Sequence, residues 1–366
     1  MKTIVVGAGI SGLSTAWQLA KKGVEVFLLE QGPIPNPLSA SGDQHRIIRR
    51  AYGGKSGYQR RMSDAFDAWD ELWGDLGERH LVETGFLLLS QKAGDEADEY
   101  RQGLIDGGFA LEDMSPQETA DRFAFVDPSA LRWGAYSPEG GVLLSLKIAA
   151  GIKAWLIAKG ADVRENCRVA SVDASSGSVT LESGDVLSAD RVVVTAGAWV
   201  LKLFPDLSDE LTTYRTAVAY LTPPPDLLGA WKNGPAILDV GGEVDGYVLP
   251  PVAGTGLKVG SGLTKYVSAD PEADREPKDG EGLTIRNYFS PPFARIEEYQ
   301  VERVATCAYT FTKDQHFLVR ECGKTVVVSA CSGHGYKFGA VVGRRIAGGI
   351  LDGDLEAARI WIEARD

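Results

Sequence analysis

The stretch that decides the fold stands at the amino terminus and reads Ile4-Val5-Val6-Gly7-Ala8-Gly9-Ile10-Ser11-Gly12. Its β-branched run predicts a strand, and the glycines that follow predict a tight turn. Apolar residues then recur at helical spacing, so that Ile10 and Ser11 open a helix. Gly7 permits the turn, Gly9 lets a pyrophosphate approach the backbone, and Gly12 lets helix and strand pack closely. Because a helix N-terminus offers free N–H donors to phosphate, this order predicts a dinucleotide site.

A second apolar strand, residues 24–29, ends at Glu30. A carboxylate at this distance from the glycines accepts hydrogen bonds from a ribose 2′-hydroxyl. No Arg or Lys follows Glu30 closely, so a 2′-phosphate is disfavoured. FAD and NAD both remain compatible with this segment. The alternative is a glycine-rich βα turn in some other α/β protein.

Length and charge narrow the functional classes. The chain has 366 residues with 44% hydrophobic content, enough for two domains with sizeable cores. Its net charge of −12 argues against a nucleic-acid partner, since phosphate backbones would be repelled.

The cysteines and the apolar runs indicate the cellular compartment in which the protein is expected. The four cysteines have no CxxC spacing, which predicts neither a metal site nor a disulfide framework. The N-terminal apolar run is too short for a signal peptide, and no segment approaches a membrane span. We therefore expect a soluble, cytoplasmic protein with no bound metal and no membrane partner.

Periodicity predicts the remaining elements. Apolar and aromatic residues at helical spacing over 58–80 predict one long helix whose aromatic stripe is core. We expect a turn at Gly140-Gly141 and hairpins over 169–187. Residues 191–194 predict a buried parallel strand that ends in small residues, including Gly197, against a cofactor.

These elements predict an α/β fold with two domains. A Rossmann-like nucleotide domain comprises residues 1–80, 141–213 and 310–366. A second, mainly antiparallel β (α+β) domain for the substrate comprises residues 81–140 and 214–309, where short β-rich runs and prolines dominate.

Several motifs resemble the monomeric sarcosine oxidase family of FAD-dependent amine oxidases, in the DAO-like superfamily. They occur in family order across nearly the whole chain: GAGISG with Glu30, Arg46-Ile47-Ile48-Arg49 with Ala51-Tyr52-Gly53, Thr195 to Trp199, Leu257-Lys258-Val259-Gly260, Cys307 to Thr310 with His316-Phe317, and Ser332 to Phe338. The family includes pipecolate, N-methyltryptophan and fructosyl-amino-acid oxidases. The resemblance implies FAD rather than NAD.

The same resemblance implies roles for individual residues. Cys307 would carry the flavin covalently through its sulfur, the alternative being a buried cysteine that packs as a small hydrophobe. Arg49 and Lys337 would bind the substrate carboxylate from two sides. Lys258 would activate dioxygen beside the flavin, the alternative being a strand-edge lysine.

Other matched positions concern the flavin surroundings. Tyr309 would line the substrate side and Arg46 would lie near the flavin, although a solvated or ion-paired surface arginine is an equal alternative. The loop Gly333-His334-Gly335 would direct N–H groups at the flavin pyrimidine carbonyl, where negative charge grows on reduction. His334 itself is interpreted as shaping the loop.

Two departures from the family concern specificity. Sarcosine-oxidising members carry histidines at positions that fall at Gly42 and Gly262 here. Both losses predict a substrate pocket that is larger than, or differently shaped from, one built for sarcosine. His45 stands where a small hydroxyl residue is usual, and it either takes over a polar catalytic role or faces away.

The predicted reaction is oxidation of an amino acid, preferably a secondary N-alkyl or cyclic one, to an imine, with dioxygen reduced to hydrogen peroxide. The amine must be neutral, and two nearby cations would lower its pKa. A primary amino-acid oxidase, a dehydrogenase with another electron acceptor and a non-catalytic flavin-binding protein remain as alternatives. Amino acid and dioxygen are the expected partners of a monomeric chain.

Overall fold

The computed structural model describes residues 1–366. Its central sheet has six strands in the order Leu318–Cys322, Thr325–Ser329, Arg191–Val194, Lys2–Val6, Glu25–Leu29 and Asp162–Arg164. Only the first two are antiparallel to each other. Val5 pairs with Leu28 and Val193, and all three are fully buried because both faces of a parallel sheet are covered.

Helices surround this sheet and supply most of its core. They are Ile10–Lys21, Ser56–Arg60, Met62–Leu76, Ser145–Ala158, Val200–Leu203, Gly339–Asp352 and Leu355–Glu363. The predicted helix over 58–80 is thus two helices, and the second ends at Gly77, whose φ of 71° is left-handed. Its aromatic stripe is core as expected, with Trp69 only 1% exposed. None of the helices combines the length and apolar character needed to cross a bilayer.

The hairpins expected over 169–187 form a separate antiparallel sheet. Its strands are Val169–Asp173, Ser178–Leu181 and Val186–Ser188. Val179 and Leu181 pack with the far side of the central sheet. This confirms the prediction for that segment.

A nine-stranded sheet makes the second layer. Its strands are Phe86–Ser90, Glu112–Met114, Trp133–Ser137, Leu211–Thr222, Ala236–Asp239, Gly246–Leu249, Leu257–Ser261, Tyr266–Val267 and Gln300–Thr312. All neighbours are antiparallel except Ala236–Asp239 with Phe86–Ser90. The helices Glu96–Asp106, Pro116–Arg122, Leu228–Lys232 and Glu281–Asn287 accompany it.

A small sheet places the arginine motif between the two layers. Strand Arg46–Arg49 pairs with Gly140–Leu143, which also pairs with Leu81–Val82. The turn expected at Gly140-Gly141 is therefore wrong, because both glycines lie in a strand. Glycine is needed there for packing, since a Cβ on Gly140 would lie 2.6 Å from the Ile48 carbonyl oxygen.

The chain is mixed α/β with a Rossmann-like parallel sheet and a largely antiparallel second sheet, which confirms the predicted fold class. The division at 80/81, 140/141, 213/214 and 309/310 stays a prediction. Two long strands, Leu211–Thr222 and Gln300–Thr312, run across the last two of these positions and pair along their whole length.

Candidate active site

A cavity of about 1090 Å³ lies between the two layers. Thirteen predicted site residues line it: Gly7, Gly9, Ile10, Ser11, Glu30, Arg46, Arg49, Gly197, Tyr309, Gly333, His334, Gly335 and Lys337. Gly12, His45, Lys258 and Cys307 are not in its wall. The fold therefore brings together residues from both ends of the chain around one space.

The glycine loop forms one end of this cavity. Gly7 has a φ of 94°, and a Cβ there would lie 2.7 Å from the Thr195 carbonyl oxygen. Gly12 lies behind the wall, where a Cβ would come within 1.9 Å of the Gly7 oxygen. Gly7 thus makes the turn and Gly12 the close packing of strand and helix. Gly9 faces open space with only Ser41 Oγ near its absent Cβ, which leaves room for a phosphate.

The Glu30 carboxylate is buried beside this loop. Its Oε2 accepts the Ala8 N–H at 2.6 Å, and its Oε1 accepts the Gly32 N–H at 3.1 Å and the Asn36 side-chain N–H at 2.8 Å. These bonds hold the carboxylate at the mouth of the turn, where a ribose hydroxyl would be a further donor. Asn36 also lines the cavity and was missed by sequence reasoning.

Arg46 lines the cavity from the strand Arg46–Arg49. Its guanidinium donates to the carbonyl oxygens of His45, at 2.8 Å, and of Ala40. Asp43 Oδ2 lies 3.7 Å away. Arg46 is thus neither solvated nor part of an exposed surface ion pair. Its expected place near the flavin stays a prediction.

Lys258 is held just behind the same wall. Its Nζ donates to Asp43 Oδ2 at 3.0 Å and to the His45 carbonyl oxygen at 2.5 Å. Burial and the neighbouring Arg46 charge lower the pKa of Lys258 to about 8, although Asp43 opposes them. Lys258 is 1% exposed, so a solvated strand-edge lysine is excluded.

The His45 side chain does not reach the cavity. It is fully buried, neither ring nitrogen has a hydrogen-bond partner, and the ring stacks on Tyr220 at a centroid distance of 6.3 Å. Burial and the Lys258 charge hold the pKa of the imidazole well below its usual value. Of the two expectations for His45, the structure shows the one in which the ring faces away, and only its carbonyl oxygen contacts the predicted catalytic groups.

Arg49 and Lys337 meet across Tyr52 at the other end of the cavity. The Arg49 guanidinium carbon lies 4.3 Å from the Tyr52 ring centroid, and Lys337 Nζ lies 3.3 Å from the Tyr52 hydroxyl. Both cations are nearly buried and face the cavity. Burial, then the Arg49 charge, holds the pKa of Lys337 well below its usual value. Two uncompensated cations in one pocket favour an anionic ligand.

His334 shapes the loop that carries Lys337. Its Nε2 lies 3.0 Å from the Gln315 carbonyl oxygen, which can only accept, so Nδ1 accepts the Tyr52 hydroxyl at 3.0 Å. The ring stacks on Phe317 at 4.7 Å. This network supports the structural interpretation of His334 and fixes Tyr52 between the two cations.

Cys307 is buried on strand Gln300–Thr312 beside the cavity. Burial raises the pKa of its thiol, against the nearby Arg46 charge. Tyr309, two residues further along the same strand, lines the cavity. Two other thiols, Cys167 and Cys331, lie in the wall itself.

Comparisons with known proteins agree with this geometry. The family model described as "FAD dependent oxidoreductase" matches residues 2–348. The chain belongs to this family of FAD-dependent oxidoreductases. It is 28% identical to the monomeric sarcosine oxidase of Bacillus sp. (strain B-0618), over 96% of this chain and 93% of the relative. It is 30% identical to the peroxisomal sarcosine oxidase of Mus musculus, over 93% of this chain and 90% of the relative.

A solved structure confirms the fold. An Amadoriase I mutant from Aspergillus fumigatus superposes with a TM-score of 0.84 at 18% identity, covering 100% of this chain and 89% of that one. Together with the family match, the curated relatives make the chain an FAD-dependent oxidoreductase of the sarcosine oxidase type, acting on CH–NH groups.

FAD suits the residues present in this family member. The glycine cradle that a Cβ would fill and the buried Glu30 carboxylate match a dinucleotide at one end, and the cavity continues from there to Arg49 and Lys337. Gly7, Gly9, Ser11 and Glu30 would hold its nucleotide half.

The two histidine losses have different consequences. Gly262 lines the cavity, and the Asp245 carboxylate lies 2.4 Å from where its Cβ would be, so a carboxylate occupies that side. Gly42 packs against the Asn36 backbone, 1.8 Å from an added Cβ, and is not in the wall. The expectation that the two losses change the pocket stays a prediction: Gly262 lines the cavity, whereas Gly42 lies outside its wall.

Sequence reasoning missed several residues of the site: Asp43, Tyr52, Tyr100, Asp239 and Asp245. Tyr52 lies directly after the arginine motif, which was a usable signal. Asp43 and Asp245 stand in loops, Asp239 ends a strand and Tyr100 lies in the helix Glu96–Asp106, and none of them belongs to a motif.

Proposed function

We propose that this protein is an amino-acid oxidase that converts a carboxylate-bearing secondary amine, N-alkyl or cyclic, to an imine and reduces dioxygen to hydrogen peroxide. The observation that carries the proposal is the pair of cavity-facing cations, Arg49 and Lys337, at the end of the cavity away from the dinucleotide loop. The named activities of the curated relatives support the secondary amine.

Arg49 and Lys337 bind the substrate carboxylate. The planar guanidinium offers two parallel N–H donors, and the ammonium supplies a point charge from the side of Tyr52. Because both cations lie close to the bound substrate, they disfavour an ammonium on it and lower its amine pKa. The neutral amine has the lone pair that an iminium product requires, so no separate general base is needed.

FAD, when bound, would supply the two-electron acceptor between the amine, which loses two electrons and two protons to become the imine, and dioxygen, which takes them up as hydrogen peroxide. Lys258 contributes a fixed positive charge beside the cavity that favours negative charge developing on oxygen. Asp43 and the His45 carbonyl oxygen hold the ammonium in place. Tyr309 borders the substrate, and Arg46 borders the cofactor.

The cofactor is attached covalently through Cys307 Sγ in this proposal. The thiol lies beside the cavity, where burial raises its pKa and the charges of Arg46 and Lys258 act in the opposite direction, toward the nucleophilic thiolate. The Gly333-His334-Gly335 loop faces the cofactor. The partners are the amino acid and dioxygen, and the protein acts as a monomer, as the name of the Bacillus relative suggests.

Anaerobic reduction of the purified holoenzyme tests the function. Sarcosine, proline, pipecolate, N-methylated and glycated amino acids are added without oxygen, and the loss of flavin absorbance is followed. Bleaching by a secondary amino acid, with peroxide formed when air is admitted, is the expected result. Bleaching without peroxide would mean a dehydrogenase. No bleaching by any amine would overturn the proposed activity.

A further inference from the structure

Beyond the two cations, the cavity wall carries carboxylates that the proposed chemistry does not use: Glu96, Glu99, Glu182, Asp239 and Asp245. Asp239 is the most deeply placed of them, with 3% of its surface exposed, and it ends the strand Ala236–Asp239. A buried carboxylate is costly unless a cation or several donors compensate it. The groups that contact the Asp239 carboxylate therefore indicate its role in the cavity.

A bulge in the strand directs Asp239 into the cavity. Ile237 is opposite Leu87 and Asp239 is opposite Leu88, so Leu238 is an extra residue in this strand. A bulge breaks the alternation of faces, and as a result both Leu238 and Asp239 line the cavity. In an unbroken strand these consecutive side chains would point to opposite faces.

The protein itself leaves Asp239 only partly satisfied. Oδ1 accepts the Gly241 N–H at 2.7 Å, no group donates to Oδ2, and no Lys, Arg or His forms an ion pair with it. The equally buried Asp95 shows the contrast, because it accepts Ser90, Gln91, Lys92 and Asp98 donors. Burial, with the neighbouring Glu96 and Asp95 charges, raises the pKa of Asp239 to about 7.

Tyr100 connects this acidic region to the carboxylate-binding end. The Arg49 guanidinium carbon lies 5.2 Å from the Tyr100 ring centroid, and the Tyr100 hydroxyl donates to Glu96 Oε1 at 2.7 Å. The charges of Arg49 and Asp239 both act on the Tyr100 hydroxyl. A ligand whose carboxylate is at Arg49 thus has a carboxylate-lined region within reach of a long side chain.

We propose that Asp239, supported by Asp245 and Glu96, binds a second positive charge on the substrate, so that the substrate is an amino acid whose side chain ends in an amine or a guanidinium. Such a group would donate to the free Oδ2 and compensate a charge that the protein leaves unpaired. The inference rests on the proposed function and adds the class of side chain. A neutral polyol would supply donors but leave the charge uncompensated.

A matched pair of substrates tests the subsite. Nα-methyl-lysine and Nα-methyl-norleucine have side chains of similar length, and only the first ends in a cation. Both enantiomers of each are given to the holoenzyme, and anaerobic flavin bleaching is measured against concentration. We expect the cationic substrate to reduce the flavin with a second-order rate constant at least about tenfold higher, the size of one charged hydrogen bond.

Variants then assign the preference to a residue. Asp239→Asn should bring the ratio of the two substrates close to one, because the amide cannot compensate the charge of the lysine analogue. Asp245→Asn should lower the ratio less, since Asp245 is more exposed and lies near Lys265. Glu243→Gln is the matched control, because this exposed acid is outside the cavity wall and its loss should leave the ratio unchanged.

The outcomes separate the subsite from the function. If sarcosine or proline bleaches the flavin but the lysine analogue is no better than the norleucine analogue, the subsite is overturned and the oxidase stands. An unchanged ratio in Asp239→Asn also overturns the assignment to Asp239. If Asp239→Asn fails to retain FAD, the preference of the unmodified enzyme for the lysine analogue over the norleucine analogue decides whether the subsite exists. If no amine bleaches the flavin, both proposals fall.

Discussion

Lys258 Nζ lies 3.0 Å from Asp43 Oδ2, and the two side chains are 1% and 9% exposed. Tyr220 donates its hydroxyl to the other oxygen of Asp43 at 2.6 Å. Burial disfavours the Asp43 charge, but Lys258 and Arg46 outweigh it and hold the pKa of Asp43 well below its usual value. Asp43 is therefore the counter-charge that keeps the buried lysine protonated near neutrality.

Replacing Asp43 should change the pH dependence of the oxygen reaction. Asp43 raises the pKa of Lys258, which is about 8, so Asp43→Asn lowers that pKa. The ammonium is present below this pKa and is lost as the pH rises through it. We expect the rate of flavin reoxidation to fall with rising pH at a lower pH in Asp43→Asn than in the unmodified enzyme, as measured by stopped-flow mixing of the reduced enzyme with oxygen.

Lys258→Met is the companion variant for that experiment. It should slow reoxidation far more than anaerobic reduction and remove the alkaline limb altogether. Equal losses in both half-reactions would contradict a role for Lys258 in oxygen activation. An alkaline limb that stays in place in Asp43→Asn would show that Asp43 does not set the charge of the lysine.

Substitution at Arg49 should damage substrate binding selectively. Arg49→Gln keeps a planar donor but removes the charge, and loss of a charged hydrogen bond costs about 10- to 100-fold in kcat/KM. The measurement compares an N-methyl amino acid with an N-methyl amine that has no carboxylate. The amine should be oxidised at a similar rate by both proteins. A parallel loss for the amine would mean that Arg49 serves the cofactor or the fold.

The thiols of Cys307, beside the cavity, and Cys331, in its wall, allow a matched test of covalent attachment. Cys307→Ala should release the flavin when the protein is precipitated with acid, whereas Cys331→Ala should keep it in the yellow pellet. The reason is that Cys307, and not the wall residue Cys331, carries the proposed thioether. Flavin released from the unmodified protein would show that the cofactor is not covalently bound, and retention by Cys307→Ala would move the link elsewhere.

Close packing at the glycine loop predicts a loss of cofactor. In Gly12→Ala the added Cβ would lie 1.9 Å from the Gly7 carbonyl oxygen, so the turn must shift and FAD content should fall. Gly348→Ala is the control, because its Cβ meets nothing closer than 4.0 Å in helix Gly339–Asp352. That change should stabilise the protein by about 0.5–1 kcal/mol. Flavin absorbance per protein and thermal unfolding measure the two effects.

Most of the fold could be predicted from local patterns in the sequence. The strand–turn–helix around Gly7, Gly9 and Gly12 and the apolar strand at 191–194 were predictable, because period and glycine placement are local properties. The turn predicted at Gly140 and Gly141 was wrong for the same reason, since a pair of glycines is locally typical of a turn. In the structure they let the strand of Arg49 pass close to its neighbours, a contact that depends on residues far away in the chain.

What the sequence by itself determined was the dinucleotide loop, the order of elements and the identity of the cationic and thiol residues, because each rests on a local motif. The tertiary structure alone decided which groups face one another. In the folded chain Lys258 donates to the Asp43 carboxylate. Tyr52 lies between Arg49 and Lys337. The His45 ring faces away from the cavity. Charge compensation and burial are properties of neighbours in space, and residues such as Lys258 and Asp43, 215 positions apart, become neighbours only when the chain has folded.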